Sequence, residues 1–301
     1  MEKSYFKDGQ RFNSLSSYLK EEFGQKTIKL SIDGGFTCPN RDGTKGTGGC
    51  IFCSENGAGE FASNIDDQIA LYEDKWPKAS YLAYFQNHTN TYAPAEELRQ
   101  KYYKVLENPK IKGLVIGTRP DCLSDEVLDL LEEINRDHFM WVELGLQSIH
   151  QKTADFINRC YDLDVFDEAM EKLNARGIKV VVHLILGLPG ETQDEMLQSV
   201  DYVAHKNIFG IKLHLLNIVK GSRLEADYSD YMPFETIEDY VKLVVKCLEI
   251  IPPEVTIHRL TGDAPRKILI SPPWSYKKRT ILNGIVEELR KSKTWQGRLC
   301  K

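Results

Sequence analysis

The chain has 301 residues and a mass of 34.5 kDa, with 42% apolar and 28% charged residues. That composition excludes a mainly disordered, collagenous or disulfide-stapled protein, and the length allows one large α/β domain or two smaller ones. A formal charge of −5 excludes a chain coated in basic residues, but the charge is uneven: residues 266–301 hold ten Lys and Arg against two acids, a surplus of +8 that leaves −13 on residues 1–265. No stretch approaches the ~18 consecutive apolar residues of a membrane span. The N-terminus, Met1-Glu2-Lys3-Ser4-Tyr5-Phe6-Lys7-Asp8, lacks the apolar run of a signal peptide. Three of the seven cysteines crowd into residues 38–53, which in a reducing compartment points to metal or catalysis rather than bridges. The expected location is the cytoplasm, with no membrane partner.

Residues 1–26 read as a short helical lead-in. The stretch Thr27–Ile32 then reads as a strand that runs into a Gly-rich loop carrying the cysteines. Five more strand candidates follow at Ala79–Gln86, Ile111–Thr118, Phe139–Leu146, Ile178–Leu186 and Gly210–Leu216. Helical periodicity fills the gaps: Val127, Leu130, Leu131 and Ile134 share one face, and Met196, Val200, Val203 and Ala204 share another. Thr192-Gln193-Asp194-Glu195 has the form of a capping box, and Gly177 closes the preceding helix. A helix at about Phe234–Ile251 stops at Pro252-Pro253. A strand candidate at Val255–Leu260 opens the basic tail, and a last helix lies near Thr280–Lys291. Six strands each followed by a helix imply parallel pairing, in an open sheet or one curling toward a (β/α) barrel. Either way the working face lies at the C-terminal ends of the strands.

The cysteines are spaced C-x11-C-x2-C at Cys38, Cys50 and Cys53. The two-residue gap lets Cys50 and Cys53 serve one centre, and four intervening glycines let the backbone bring Cys38 back to it. Structural zinc normally takes four ligands, and no fourth lies nearby: His88 is 35 residues past Cys53 and Cys122 is 69 past it. An iron–sulfur cluster with one open iron suits three thiolates after the first strand. Spacing alone leaves zinc, and three unrelated buried cysteines, as alternatives.

With an aromatic before its last cysteine, this loop resembles those of radical S-adenosylmethionine (SAM) enzymes. The long loop with Cys38-Pro39-Asn40-Arg41-Asp42-Gly43 resembles the YtqA/YhcC-type branch, related to the Elongator catalytic subunit. The likeness runs over about residues 10–300, including His258-Arg259-Leu260-Thr261-Gly262-Asp263, Pro272-Pro273-Trp274 and Gln296-Gly297. It implies a partial (β/α)6 TIM-like barrel of parallel strands over residues 27–232, with an N-terminal extension (1–26) and a C-terminal extension with a basic tail (233–301). It also implies a [4Fe–4S] cluster held by Cys38, Cys50 and Cys53, whose open iron chelates SAM. One electron, from a donor such as a flavodoxin or ferredoxin, then cleaves SAM to methionine and a 5′-deoxyadenosyl radical. No side chain is assigned as catalytic, because the radical arises at the cluster.

Residue by residue, Phe52 matches the aromatic near adenine. The strand-two motif that meets the SAM amino group is replaced by Tyr84-Phe85-Gln86, which leaves Gln86 as the candidate there. Glu143, Gln147 and Ser148 match a fourth strand that serves the ribose and neighbouring SAM groups. For these the plain readings are a carboxylate satisfied by a neighbouring Lys or Arg, and a helix cap. Arg159 matches a basic residue that pairs with the SAM carboxylate, its plain reading being an exposed helix-end arginine. Gly187 and Gly190 match the turn beneath adenine, and His183 and His214 are candidates for the substrate cavity. Cys122, Cys160, Cys247 and Cys300 have no motif around them and receive no role.

The resemblance to the Elongator catalytic subunit implies a tRNA partner, with a wobble-uridine side chain of carboxymethylaminomethyl type as the expected target. The tail agrees with an RNA partner, since Lys277, Lys278, Arg279 and other basic residues sit among Trp274, Tyr276 and Trp295, and equally with a solvated cationic helix carrying two packed Trp. Two alternatives stand beside this reading. One is a radical SAM enzyme on a small molecule such as a tetrapyrrole, and the other is a zinc-stabilised RNA-binding protein without catalysis.

Overall fold

The structure, a computed structural model, describes residues 5–7, 9–54, 57 and 61–300. Residues 1–4 and 8 of the N-terminal extension and Lys301 of the tail lie outside the described residues. In chain order, α1 (Leu15–Phe23) leads to β1 (Thr27–Ile32), and α2 (Ile65–Glu73) follows the cysteine loop. Then come β2 (Ser80–Phe85), α3 (Ala95–Leu106), β3 (Ile111–Thr118), α4 (Asp125–Asp137) and β4 (Phe139–Gln147). Next are α5 (Gln151–Phe156), α6 (Leu163–Ala175), β5 (Val180–Leu186), α7 (Gln193–Ala204) and β6 (Gly210–Leu215). The chain ends with β7 (Ile218–Val219), α8 (Arg223–Tyr228), α9 (Ile237–Ile250), β8 (Thr256–Arg259), β9 (Leu269–Ser271) and α10 (Lys278–Lys291).

Seven parallel strands form one curled sheet in the order β1-β2-β3-β4-β5-β6-β8, a half-barrel with helices outside. Strand parity divides the side chains. One set, including Leu30, Leu114, Val142, Val182 and Leu213, packs outward against the helices. The other set faces the interior. Its lower members Leu82, Val115, Trp141 and Val181 are apolar and meet Leu15 and Leu19 of α1. Its upper members include Lys29, Tyr84, Glu143, His183, Lys212 and His214, which line a cavity. The helical lead-in therefore floors the barrel, and Ser14 pairs with Ile257 across the gap between the two edge strands. Ser14 also caps α1, its Oγ accepting from Ser17 N at 3.2 Å. The box at Thr192 forms as well, with Thr192 N donating to Glu195 Oε2 at 2.8 Å and Glu195 N to Thr192 Oγ1 at 3.2 Å.

The expected partial barrel of parallel strands is present, with seven strands in place of six. The strand expected in the C-terminal extension is β8, which lies parallel to β6 with Gly210 opposite Thr256 and Ile211 opposite Ile257. Between the two the chain makes β7, α8 and α9, so the crossover is long and its periodicity is broken. The expected boundary at residues 232/233 thus falls between two neighbouring strands of one sheet. The short pair β7–β9, antiparallel, had no counterpart in the sequence pattern. Among the described residues no helix is long and apolar enough to cross a membrane.

Candidate active site

A cavity of about 580 Å³ opens at the C-terminal ends of the strands. Cys38, Cys50 and Cys53 share its wall with Phe52, Gln86, Glu143, Gln147, Arg159, His183, His214 and Lys278. Ser148, Gly187, Gly190, Lys277 and Arg279 lie outside that lining.

The cysteine loop is built by its own backbone. Arg41 N donates to Cys38 O at 2.8 Å, Lys45 N to Pro39 O at 2.8 Å, Gly49 N to Asn40 O at 2.7 Å and Cys53 N to Cys50 O at 3.0 Å. Gly46 is required by close approach, since a Cβ there would sit 2.3 Å from Asn40 Oδ1 and 2.9 Å from Cys160 Sγ. The folded loop docks on the segment after α5. Ile51 N donates to Ile157 O at 3.1 Å, Asn158 Nδ2 donates to Gly49 O at 2.8 Å, and Asn40 Nδ2 donates to Asn158 O. The same Asn40 amide lies 3.6 Å from Cys50 Sγ. The Cys53 thiol hydrogen-bonds to Cys50, and with Arg119, Asn40 and Arg41 it brings the Cys50 thiol down to about 7 against the opposing effect of burial.

These residues fit the cluster that the resemblance implies. Three thiols face one cavity, an amide is within reach of a ligand sulfur, and guanidinium groups stabilise thiolate. Among the described residues no group of three metal-binding side chains converges to hold a single ion. A cubane presents a separate iron to each of three thiolates.

Two expected SAM contacts are otherwise engaged. Arg159 is fully buried and donates Nε and Nη2 to Tyr161 O at 3.1 and 2.9 Å, and Nη1 to Leu146 O at 2.9 Å and Ser148 O at 2.6 Å. Four of its five N–H donors are spent on backbone carbonyls, so no open fork remains for a carboxylate. It is neither an exposed helix-end arginine nor a bidentate clamp: it ties the end of β4 to the segment that seats the cysteine loop. Glu143 is 1% exposed, with Oε1 accepting from Lys29 Nζ at 3.3 Å and Trp141 Nε1 at 3.1 Å. Its Oε2 accepts from His183 Nε2 at 2.9 Å and from Lys212 Nζ. A carboxylate has about four acceptor sites and all are taken, so Glu143 has none for ribose.

The remaining candidates separate by position. Gln86 Oε1 accepts from Ser31 Oγ at 3.2 Å beside the cavity, and Gln147 lines it from a left-handed backbone, φ 66°, at a bulge against β5. Ser148 Oγ bonds to Glu191 and accepts His150 N at 3.1 Å, a turn-stabilising role. Gly187 packs against Pro233 and Phe234 at φ 92°, and Gly190 turns the chain at φ 84°. His183 and His214 both face the cavity. Burial and Lys212 bring His183 down to about 4, and burial with Arg259 lowers His214 as well. Lys278 lines the cavity, whereas Lys277 and Arg279 are exposed on the tail. Sequence reasoning missed Asn40, Asn158, Lys29, Lys212 and Arg259. A usable signal existed for two of these: Lys29 and Lys212 are lone charges at the inward parity of apolar strands.

Two expectations follow. In Arg159→Lys the buried carbonyls lose their donors, so stability should fall by about 1–3 kcal/mol in a denaturant melt while SAM affinity changes little; the reverse pattern would restore the carboxylate role. Burial alone would raise Glu143, but Lys212, Lys29 and His183 outweigh it and hold the carboxyl well below its usual range. Its contribution is therefore complete above about pH 4.5 and lost as pH falls through the depressed native value. Glu143→Gln should cost about 3–5 kcal/mol at pH 7, and urea melts should show the gap narrowing below about pH 4.

Comparison with known proteins agrees with this geometry. Residues 41–203 match the family described as the Radical SAM superfamily, and residues 208–291 match the Radical_SAM C-terminal domain. Cys38 lies three residues before the first match. The chain is 45% identical to YtqA of Bacillus subtilis over 98% of its own length and 94% of that protein's. It is 41% identical to YhcC of Escherichia coli K12 over 91% and 90%. In fold it is similar to an N-terminally deleted Elp3 of the archaeon Methanocaldococcus infernus, with a TM-score of 0.65 and 16% identity, over 90% of this chain and 64% of that one. With its cysteine loop at the strand ends of a parallel half-barrel, the chain belongs to the radical SAM superfamily, in the branch that includes YtqA and YhcC.

Proposed function

We propose that this protein cleaves SAM reductively at a [4Fe–4S] cluster held by Cys38, Cys50 and Cys53, and acts on a wobble-uridine side chain of tRNA. The target would be a substituent of carboxymethylaminomethyl type, with the electron supplied by a flavodoxin- or ferredoxin-type donor. The observation that carries the chemistry is the gathering of all three thiols on one wall of a walled cavity. When bound, the cluster and SAM supply the radical; the chain supplies thiolate ligands, orientation and exclusion of water. Asn40 and the Asn158 segment hold the loop, and the floor made by α1 closes the cavity from below.

Support for RNA comes from the tail. Arg266, Lys267, Lys277, Arg279, Arg290, Lys291, Lys293 and Arg298 are all exposed. Exposed Tyr276 and Trp295 lie beneath Arg266 and Arg298, whose guanidinium carbons are 4.7 and 5.9 Å from the rings. Such a face can contact phosphates and stack bases. Its first residues adjoin the cavity, because Lys278 lines it between exposed Lys277 and Arg279, whereas the segment with Trp295 packs beside Arg11 and Asn13.

Anaerobic reconstitution should give about four irons per chain, and SAM with dithionite should give 5′-deoxyadenosine. Both should be lost in Cys38→Ala, Cys50→Ala and Cys53→Ala; one zinc and no deoxyadenosine would overturn the chemistry. Reversing charge at Lys277, Arg279, Arg290 and Lys291 should weaken tRNA binding about tenfold or more and flatten its salt dependence, leaving tRNA-independent SAM cleavage in place. Unchanged tRNA binding would remove the tail from the reading.

A further inference from the structure

Three cationic side chains, Lys29 on β1, Lys212 on β6 and Arg259 on β8, line the inner side of the cavity, and a fourth, Lys278 at the start of α10, joins them from the rim through Asp263. Two carboxylates answer them. Glu143 is shared by Lys29, Lys212 and His183. Asp263 is shared by Arg259, 3.1 Å from Nη1, and Lys278. The other titratable groups facing this space add no negative charge. His183 and His214 are held neutral at pH 7, and burial together with Glu143 keeps the Tyr84 phenol protonated. This part of the cavity therefore sets four basic groups against two carboxylates, inside protein walls.

An excess of this kind is unfavourable when empty of counter-charge, because desolvated charge needs a partner. The four groups feel one another: Arg259 opposes the charge on Lys29, Lys212 and Lys278, and burial opposes all of them. Lys212 is sealed, its side chain 2% exposed, and it is fully engaged with Glu143 and Tyr84 Oη. Lys29, Arg259 and Lys278 remain open toward the cavity, with side chains 19%, 22% and 43% exposed. The Arg259 fork has one ion-pair contact, through Nη1, so most of its donors are available to an incoming oxyanion.

We propose that Arg259, with Lys278 and Lys29, forms a binding site for an oxyanion-bearing group of the substrate. A planar fork flanked by two ammonium groups takes a carboxylate or a phosphate oxygen pair. Two sources present that chemistry: a carboxylate on the side chain being modified, or a phosphate beside the target nucleotide. The link to a nucleoside rests on the tRNA reading; the anion site does not, since it would serve any acidic substrate.

The test uses the cluster-loaded protein with SAM bound, titrated separately with acetate and with inorganic phosphate. Binding is followed by calorimetry and by the fluorescence of Trp141, whose Nε1 donates to Glu143. One or both anions should saturate, and Arg259→Gln should weaken binding by about tenfold, the scale of a lost bidentate charge-assisted contact. Lys278→Met, at the half-exposed rim, should weaken it several-fold and serves if Arg259→Gln does not fold. Preference for acetate assigns the site to a side-chain carboxylate, and preference for phosphate to the nucleic-acid backbone. The proposal is overturned if neither anion saturates, or if both variants bind as the parent does. It is equally overturned if anions bind only without SAM, since the site would then hold the cofactor's own carboxylate. The tail variants probe tRNA separately, so an anion site without tRNA binding, or tRNA binding without an anion site, shows which reading has failed.

Discussion

A carboxylate that does not reach water organises the inside of this barrel. Glu143 stands on β4 and receives Lys29 from β1, His183 from β5, Lys212 from β6 and the indole of Trp141 from its own strand. A parallel half-barrel must fill or line its interior, and apolar side chains alone would leave no room for a polar cofactor. Here the lower interior is apolar and stoppered by α1, and the ion cluster sits on that plug as the floor of the cavity. Buried ion pairs of this kind add little net stability over an apolar substitute. What they provide is a charged surface held in one geometry at the bottom of a site.

The opposite wall depends on a second buried ion that works in another way. Arg159 spends its guanidinium on carbonyls at the end of β4 and on Tyr161, fixing the segment on which the cysteine loop rests. Asn40 and Asn158 then lock loop to segment through side-chain amides. The three thiols therefore owe their positions to hydrogen bonds spread over more than a hundred residues of sequence. The strands supply the platform, and the amides supply the placement.

The C-terminal third has two duties that its charge alone conceals. It completes the sheet through β8 and packs α10 by Ile281, Ile285 and Leu289, leaving the basic residues of that helix on the outside. It also sends Arg259, Asp263 and Lys278 into the cavity. A charged outer face and a charged inner wall thus come from one contiguous segment.

Much of this was legible in the sequence. Alternating apolar strands and amphipathic helices declared a parallel α/β sheet, because period 2 and period 3.6 are local properties that survive in any context. The spacing of Cys38, Cys50 and Cys53 marked a candidate metal or catalytic centre, since a short gap and a glycine-rich loop let three thiols reach one place. Only the tertiary structure decided which charges are spent and which are open. Arg159 and Glu143 looked like ligand contacts because their types suit the task, yet hydrogen-bond saturation depends on carbonyls and cations brought in from other strands. The strand at Val255–Leu260 was legible, but its place in the sheet was not: β8 joins β6 only after a long excursion, and pairing across such a gap leaves no mark on the local pattern. Spacing along the chain sets which groups are present, whereas burial and the curl of the sheet set which of them still have a donor or a charge to offer.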